Sequence, residues 1–267
     1  MKLPRISVIT ISLNAALSIR RTIESVISQP YPNLEYIIID GGSTDKTMGI
    51  VHSYGNSIAN AVSEKDGGIS DGFNKGIRRA TGDIVGILNA DDYYLPGALA
   101  SVAEAYDGRS VLHGDLMVPR SDSRGTRIKR SSPEAYSDLK RGKMGRIFHP
   151  TVFVPRNIYA RFSFDPMYHC AMDYDLLARI AKAGLPFRYV PTVIAFMDSR
   201  GVSERKYGLA IRETMQSYHR EFADPMYINT AAAYFKLVKH WIRLLLEQLH
   251  CTRFVELYRG VLKGRYD

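Results

Sequence analysis

A chain of 267 residues with 45% hydrophobic and 24% charged side chains has the composition of an ordinary globular protein, which excludes a disordered or fibrous chain and leaves room for one large domain with an appendage. Its 36 Lys and Arg against 27 Asp and Glu give a net charge of +9, and such an excess points to anionic partners: nucleotide phosphates, nucleic acid or an acidic membrane face. The excess is local, because residues 119–146 hold nine basic and three acidic side chains and residues 229–267 hold seven and three. Cys170 and Cys251 stand far apart without His or Cys at ligand spacing, which excludes a disulfide framework and a zinc site and fits a reducing compartment.

The N-terminal stretch "MKLPRISVITISLN" has no long apolar core and no small-residue cleavage site, so it reads as a strand. Runs rich in β-branched residues then recur: "ISVITIS" (6–12), "LEYIIID" (34–40), "ANAVSE" (59–64) and "DIVGILN" (83–89). Between them "SIRRTIESVISQ", "STDKTMGIVHSY" and "SDGFNKGIRRA" carry helical spacing, with Ser or Thr near their starts as candidate caps. Strands alternating with helices imply an α/β fold: a mostly parallel, Rossmann-like sheet flanked by helices, with ligands bound at the carboxyl ends of the strands. Beyond Val111 the order is mixed. "SVLHGDLMV" and "TVFVP" read as strands, "DYDLLARIAKAG" as a helix from Asp173 closed by Gly184, and "FRYVPTVIAFMD" precedes a helical C-terminal extension. No window reaches the ~20 apolar residues of a spanning helix. The nearest, "AAAYFKLVKHWIRLLLEQL", is broken by Lys236, Lys239 and Arg243.

Three acidic segments follow strands: "DGGSTD" (40–45), "EKDGG" (64–68) and "NADD" (89–92). Like charges gathered at one sheet edge repel unless a cation or hydrogen bonds compensate, and a carboxylate pair there suits Mg or Mn gripping phosphate oxygens. The competing reading is a loop start and a helix cap. Gly41, Gly42, Gly67, Gly68 and Gly72 flank these acids and permit close backbone approach to a ligand. There is no GxGxxG and no Walker A run, so a metal, helped by Lys75 or Arg79, is the means left for holding phosphates.

The succession "ISVITISLNAALSIRRTIESVISQPYPNLEYIIIDGGSTDKT", "EKDGGISDGFNKGIRRATGDIVGILNADDYY" and "HPTVFVPRNIYARFSFDPMYHCAMDYDLLARI" resembles the inverting family 2 glycosyltransferases of GT-A fold, most of all their bacterial polysaccharide, colanic-acid-type branch. The match spans roughly residues 5–200, and several motifs in order are far more specific than any one. The resemblance implies a nucleotide-sugar donor, UDP-linked by expectation, a Mn or Mg ion, and single displacement at the anomeric carbon. It places the base contact on Asp40, with Thr10, Ser12 and Asn14 near the nucleotide and Asp66, Gly68, Asn74 and Lys75 lining the donor site. The DXD variant falls on Asn89, Ala90, Asp91 and Asp92, with Asp91 on the ribose side and Asp92 on the metal.

The catalytic base falls on Asp173 of "MDYDL", where related enzymes often have Glu at the position of Met172. The alternative for Asp173 is a helix cap, and for His149, a candidate diphosphate or acceptor contact, a structural role. The implied organisation is a catalytic domain over 1–200, with a donor half (1–112) and an acceptor half (113–200), followed by a basic helical extension over 201–267. That extension either packs on the domain or lies on the anionic inner face of the plasma membrane near a lipid-linked acceptor, in a cytoplasmic protein. A nucleic-acid-binding protein is the reading from another class, but residues 119–146 have few aromatics and no recognition motif, so nucleic acid is not an expected partner. A catalytically inactive nucleotide-binding member is the third.

Overall fold

The computed structural model describes residues 3–120, 125–140, 146–198 and 206–222. These belong to one compact unit, Met1–Phe222. The basic stretch 229–267, with its proposed membrane face, lies outside the described residues, as do 121–124 and 141–145 of the first basic segment.

Strands β1 (Ile6–Ser12), β2 (Leu34–Asp40), β3 (Asn60–Ser63) and β4 (Ile84–Asn89) alternate with helices α1 (Ile19–Ile27), α2 (Thr47–His52) and α3 (Ile69–Arg79). The four strands pair in parallel in the order β3-β2-β1-β4. β1 and β2 are buried along nearly their whole length, as near-continuous Ile and Val runs covered on both faces must be. Ile6, Val8, Ile38 and Leu88 pack with α1 and α2 on one face; Ile9, Ile37, Ile39 and Ile87 pack with Phe73 of α3 on the other. The expected Ser and Thr caps do not form: the residues before α1, α2 and α3 are Ser18, Lys46 and Gly68, none with a side-chain cap bond. Ser18 turns back on the Ala15 carbonyl, and the start of α2 is held by Asp45, which accepts the Thr47 N–H at 2.9 Å.

The second half adds β5 (Tyr93–Tyr94), α4 (Ala98–Ala105), β6 (Val111–Pro119), β7 (Thr126–Lys129), α5 (Ala135–Lys140), a 3-10 turn His149–Thr151, β8 (Phe153–Pro155), α6 (Arg156–Tyr159), α7 (Met172–Lys182), β9 (Phe187–Phe196) and α8 (Tyr207–Phe222). Among the described residues the sheet has nine strands in the order β3-β2-β1-β4-β8-β6-β9-β5, with β7 on β6. β8 runs antiparallel to both β4 and β6, while β6 and β9 are parallel. β9 lines one side of β6 from Val111 to Met117; β8 meets the other at Leu112 and β7 meets it from Leu116 to Pro119. β7 therefore lies past β8, toward the carboxyl end of β4. α8, which the sequence groups with the C-terminal extension, packs on α7.

The amino end of the sheet is tied by Glu35. Its carboxylate, 6% exposed, accepts the Ser7 hydroxyl, the Thr81 N–H and the Thr81 hydroxyl, and pairs with Arg5 at 3.1 Å. Burial alone would raise its pKa, but these donors hold it below the ordinary carboxylate value.

Candidate active site

Register puts the ends of the parallel strands side by side: Ser12 opposite Asp40, Asp40 opposite Ser63, and Ile11 opposite Asn89. Asp40 is fully buried and accepts five hydrogen bonds. Oδ1 takes the hydroxyls of Ser12 (2.9 Å) and Ser43 (2.5 Å); Oδ2 takes the Ser63 hydroxyl (2.7 Å) and the N–H groups of Gly42 (3.2 Å) and Ser43 (2.8 Å). Burial pushes its pKa up, and the Ser43 and Ser63 donors overcome this and hold it down. A carboxylate so enclosed anchors the loop after β2. Thr10 is likewise buried, bonded to the Tyr36 hydroxyl at 3.0 Å, and Ser12 serves Asp40. Thr10 lies two positions before Ser12, the last residue of β1, within the buried run of that strand.

Access to a ligand passes to neighbouring residues. Asp66, half-buried at the end of the β3 loop, accepts the Gly68 N–H at 3.0 Å and stands against Gly41, where a Cβ would come within 2.8 Å of its Oδ2. Gly68 adopts φ +109, the left-handed side that favours glycine, as it leads into α3. Asn14, exposed at φ +50, accepts the Thr44 N–H at 2.9 Å and joins the loops after β1 and β2. Asn74 is instead a tether: its side chain exchanges two hydrogen bonds with the Phe164 backbone, at 2.9 and 3.0 Å, linking α3 to the acceptor half. Lys75 pairs with Glu64 (3.1 Å) and Asp71 (3.2 Å).

At the end of β4 the adjacent aspartates diverge. Asp91 is exposed, whereas Asp92 is 1% exposed. Asp92 accepts the Asp198 N–H (3.2 Å) and the Asn89 amide (3.5 Å), and its carbonyl accepts the Thr22 hydroxyl (2.7 Å). Burial, and then repulsion from Asp91, push the Asp92 carboxyl well above the usual range. A positive charge beside this pair would relieve both effects, and adjacent carboxylates with an amide oxygen are the hard donors that Mg or Mn prefers. The residues therefore fit a divalent cation. Among the described residues no group of three or more His, Cys, Asp or Glu gathers about one point, so water and diphosphate oxygens would complete its shell.

Asp173 lies in the first turn of α7, its Oδ1 accepting the Tyr174 N–H at 2.8 Å. It shares a recess with His149, Tyr159, Phe164 and Ile87, and Ile87 lies two positions before Asn89 on β4. His149 stacks on Phe73 of α3, centroids 4.9 Å apart, and burial lowers its pKa while Asp173 opposes the shift. Its ring is thus placed as a neutral imidazole at the wall of the recess. The neighbouring acid Asp175 is fully buried and engaged by Arg179 (2.8 Å), Arg220 and Ser217 (2.9 Å), so it is structural. Glu213, 4% exposed on α8, accepts the N–H groups of His169, Cys170 and Ala171, just ahead of α7. Nothing in the sequence marks it: its partners lie some forty positions away and are main-chain groups.

The model of glycosyl transferase family 2 covers residues 7–166. The chain belongs to this family. An uncharacterized glycosyltransferase of Mycobacterium tuberculosis is 30% identical over 231 residues, spanning 82% of this chain and 86% of that protein. A PGL/p-HBAD biosynthesis glycosyltransferase of Mycobacterium bovis is 27% identical over 211 residues, 75% of this chain and 79% of that one. Among solved structures, the mannosyltransferase PcManGT from Pyrobaculum calidifontis, in complex with GDP-Man and Mn2+, aligns with a TM-score of 0.65 at 22% identity, over 100% of this chain and 82% of that one. The last is a likeness of fold, and it agrees with the GT-A, mostly parallel α/β architecture expected from the sequence. Membership supports glycosyl transfer as the activity of this family 2 protein.

Proposed function

We propose that this family 2 protein is an inverting, metal-assisted glycosyltransferase of the bacterial surface polysaccharide type. It moves a sugar from a nucleoside diphosphate, UDP by expectation, to a saccharide or lipid-linked acceptor. The observation that supports the reading is the recess in which Asp173 and His149 meet Ile87 of β4, the strand whose carboxyl end carries the DXD-type acids. In this reading Asp66 beside Gly41 and Asn14, which joins the loops after β1 and β2, take the nucleoside, a role moved from Asp40 and Thr10. Asp91 offers the accessible carboxylate at the cation site and Asp92 braces the loop behind it. A bound cation would neutralise the departing diphosphate. Asp173 Oδ2 receives the proton of the acceptor hydroxyl as that oxygen attacks the anomeric carbon, and one such base suffices for a single displacement. Contact of the basic segments with an anionic membrane would bring a lipid-linked acceptor to this recess. No helix among the described residues is long and apolar enough to cross a membrane.

The test is calorimetric titration of UDP and of GDP into the protein with Mn2+, with Mn2+ chelated, and with the Asp91→Asn and Asp92→Asn variants. Metal-dependent binding, weakened at least about tenfold by Asp91→Asn, supports the reading. Equal binding in every arm, or none in any, overturns the metal role. Preference between UDP and GDP names the base.

A further inference from the structure

Three successive main-chain N–H groups ahead of α7 converge on one side chain from a helix forty residues later. Glu213 Oε2 accepts from His169 (3.1 Å), Cys170 (2.8 Å) and Ala171 (3.0 Å), and Oε1 also accepts from His169 (3.1 Å). Consecutive N–H groups pointing inward form an anion-binding concavity, and the positive end of an eleven-residue helix stands directly behind it. The protein fills this concavity with its own carboxylate. Ser217 and Arg220, four and seven positions on, present the same face of α8 and both hold Asp175 in the first turn of α7. Arg220 also reaches Asp165 at 3.2 Å, ahead of the turn. Asp173 lies between the two grips, two residues after Ala171 and two before Asp175.

The turn before α7 is also held by packing of Tyr168 and Ala171 in the core and by the Ser70 hydroxyl on the Tyr168 carbonyl at 3.2 Å, but among the bonds described above Glu213 is the acceptor for its amides. Ala171, the residue before the helix, has no capping side chain, and of the polar groups nearby Asp173 bonds only the N–H of Tyr174. Without an acceptor, the amides of Cys170 and Ala171 would be buried donors lacking this partner, a cost the segment lessens by moving. Such movement would displace Asp173 from the recess, and a misplacement of about 1 Å is enough to cost a hundredfold in rate.

We propose that Glu213 is a positioning residue: from α8 it clamps the turn before α7 and so sets the place of Asp173 in the recess. The inference rests on Asp173 being the base. Glu213 is buried and its carboxylate is spent on the amides of 169–171, so nucleotide affinity should be indifferent to it.

The test compares Glu213→Gln, Glu213→Asp and Asp173→Asn with the full-length protein. The first readout is hydrogen exchange at the amides of 169–171. The second is release of UDP or GDP from a panel of UDP- and GDP-sugars with Mn2+, and the third is the Kd for the nucleotide alone. Glu213→Gln is expected to speed exchange at those amides tenfold or more and lower kcat at least tenfold, with donor KM and nucleotide Kd changed less than twofold. Glu213→Asp keeps the charge but withdraws it by one methylene, and should fall between; it also serves should the Gln variant fail to fold. Unchanged exchange, or faster exchange at full kcat while Asp173→Asn is inactive, overturns the positioning role alone. Full activity of Asp173→Asn, or no release by the unaltered protein from any donor, overturns the base assignment beneath it.

Discussion

Replacing Asp40 with Asn separates the two roles that a carboxylate at the end of β2 could have. The substitution keeps shape and removes charge from a group with five donors around it. The favourable orientation turns the new amide N–H2 toward Ser12 and Ser43, whose hydroxyls rotate to accept, and leaves the oxygen facing Ser63 and the N–H groups of Gly42 and Ser43. All five charge-assisted bonds then become neutral ones, the two reversed hydroxyl bonds included, and at roughly 0.6 kcal/mol each the loss is about 3 kcal/mol. In a unit of this size that lowers Tm by roughly 6–12 °C. The acid side follows from linkage. A folded-state pKa below the unfolded value contributes stability that is full above the unfolded pKa and is lost as pH falls through the folded one. The Asn variant should therefore show a shallower loss of Tm on acidification below about pH 4. Differential scanning fluorimetry across pH, with nucleotide titration at neutral pH, reads both. An Asn variant that melts within about 2 °C of the parent yet binds nucleotide a hundredfold more weakly would refute the anchor argument and return Asp40 to the base.

Gly41→Ala would bring a Cβ within 2.8 Å of Asp66 Oδ2, a flexible side-chain end that can swing aside; nucleotide affinity should fall severalfold by calorimetry, with Tm nearly unchanged. Gly76→Ala instead drives a Cβ to 2.4 Å from Ile9 Cγ2 between α3 and β1, where nothing can yield. Overpacking of about 1–3 kcal/mol outweighs the helix-propensity gain of at most about 1, and chemical denaturation should show the net loss. His113, 1% exposed, has its pKa pushed down by burial to about 4. The unfolded imidazole binds a proton near 6.5 and the folded one does not, so stability should fall by about 3 kcal/mol from pH 6.5 to 4 and level off below. A His113 resonance titrating near 6.5 in the folded protein would contradict this.

The parallel half was legible because its strands are continuous apolar runs: the stretches 6–12 and 34–40 form β1 and β2 residue for residue. β8 was harder. Three residues long, it inserts antiparallel between β4 and β6, a pairing set by tertiary contacts that leaves no period in the sequence. At the site, sequence identifies which loops carry acids but not which way each acid points. Asp91 and Asp92 are neighbours in one motif, yet one faces solvent and the other accepts bonds from Asp198 and Asn89, two segments a hundred positions apart. Asp40 looked like a ligand contact because the three serines that bond it lie far apart in sequence, at the end of β1, in the loop after β2 and at the end of β3. Asp173 was placed from its motif; the clamp on its turn comes from a side chain without any motif.

The bolting of Glu35 to Ser7, Thr81 and Arg5 makes the two rims of the sheet unequal as ground for change. One rim is sealed by its own side chains and makes no demand on whatever the protein handles. Loops on the far rim can be lengthened, exchanged or recoded while the foundation stays set, and a library aimed at new donors or acceptors belongs there. An insertion between Ala80 and Asp83, by contrast, would unseat a buried charge before any substrate was met.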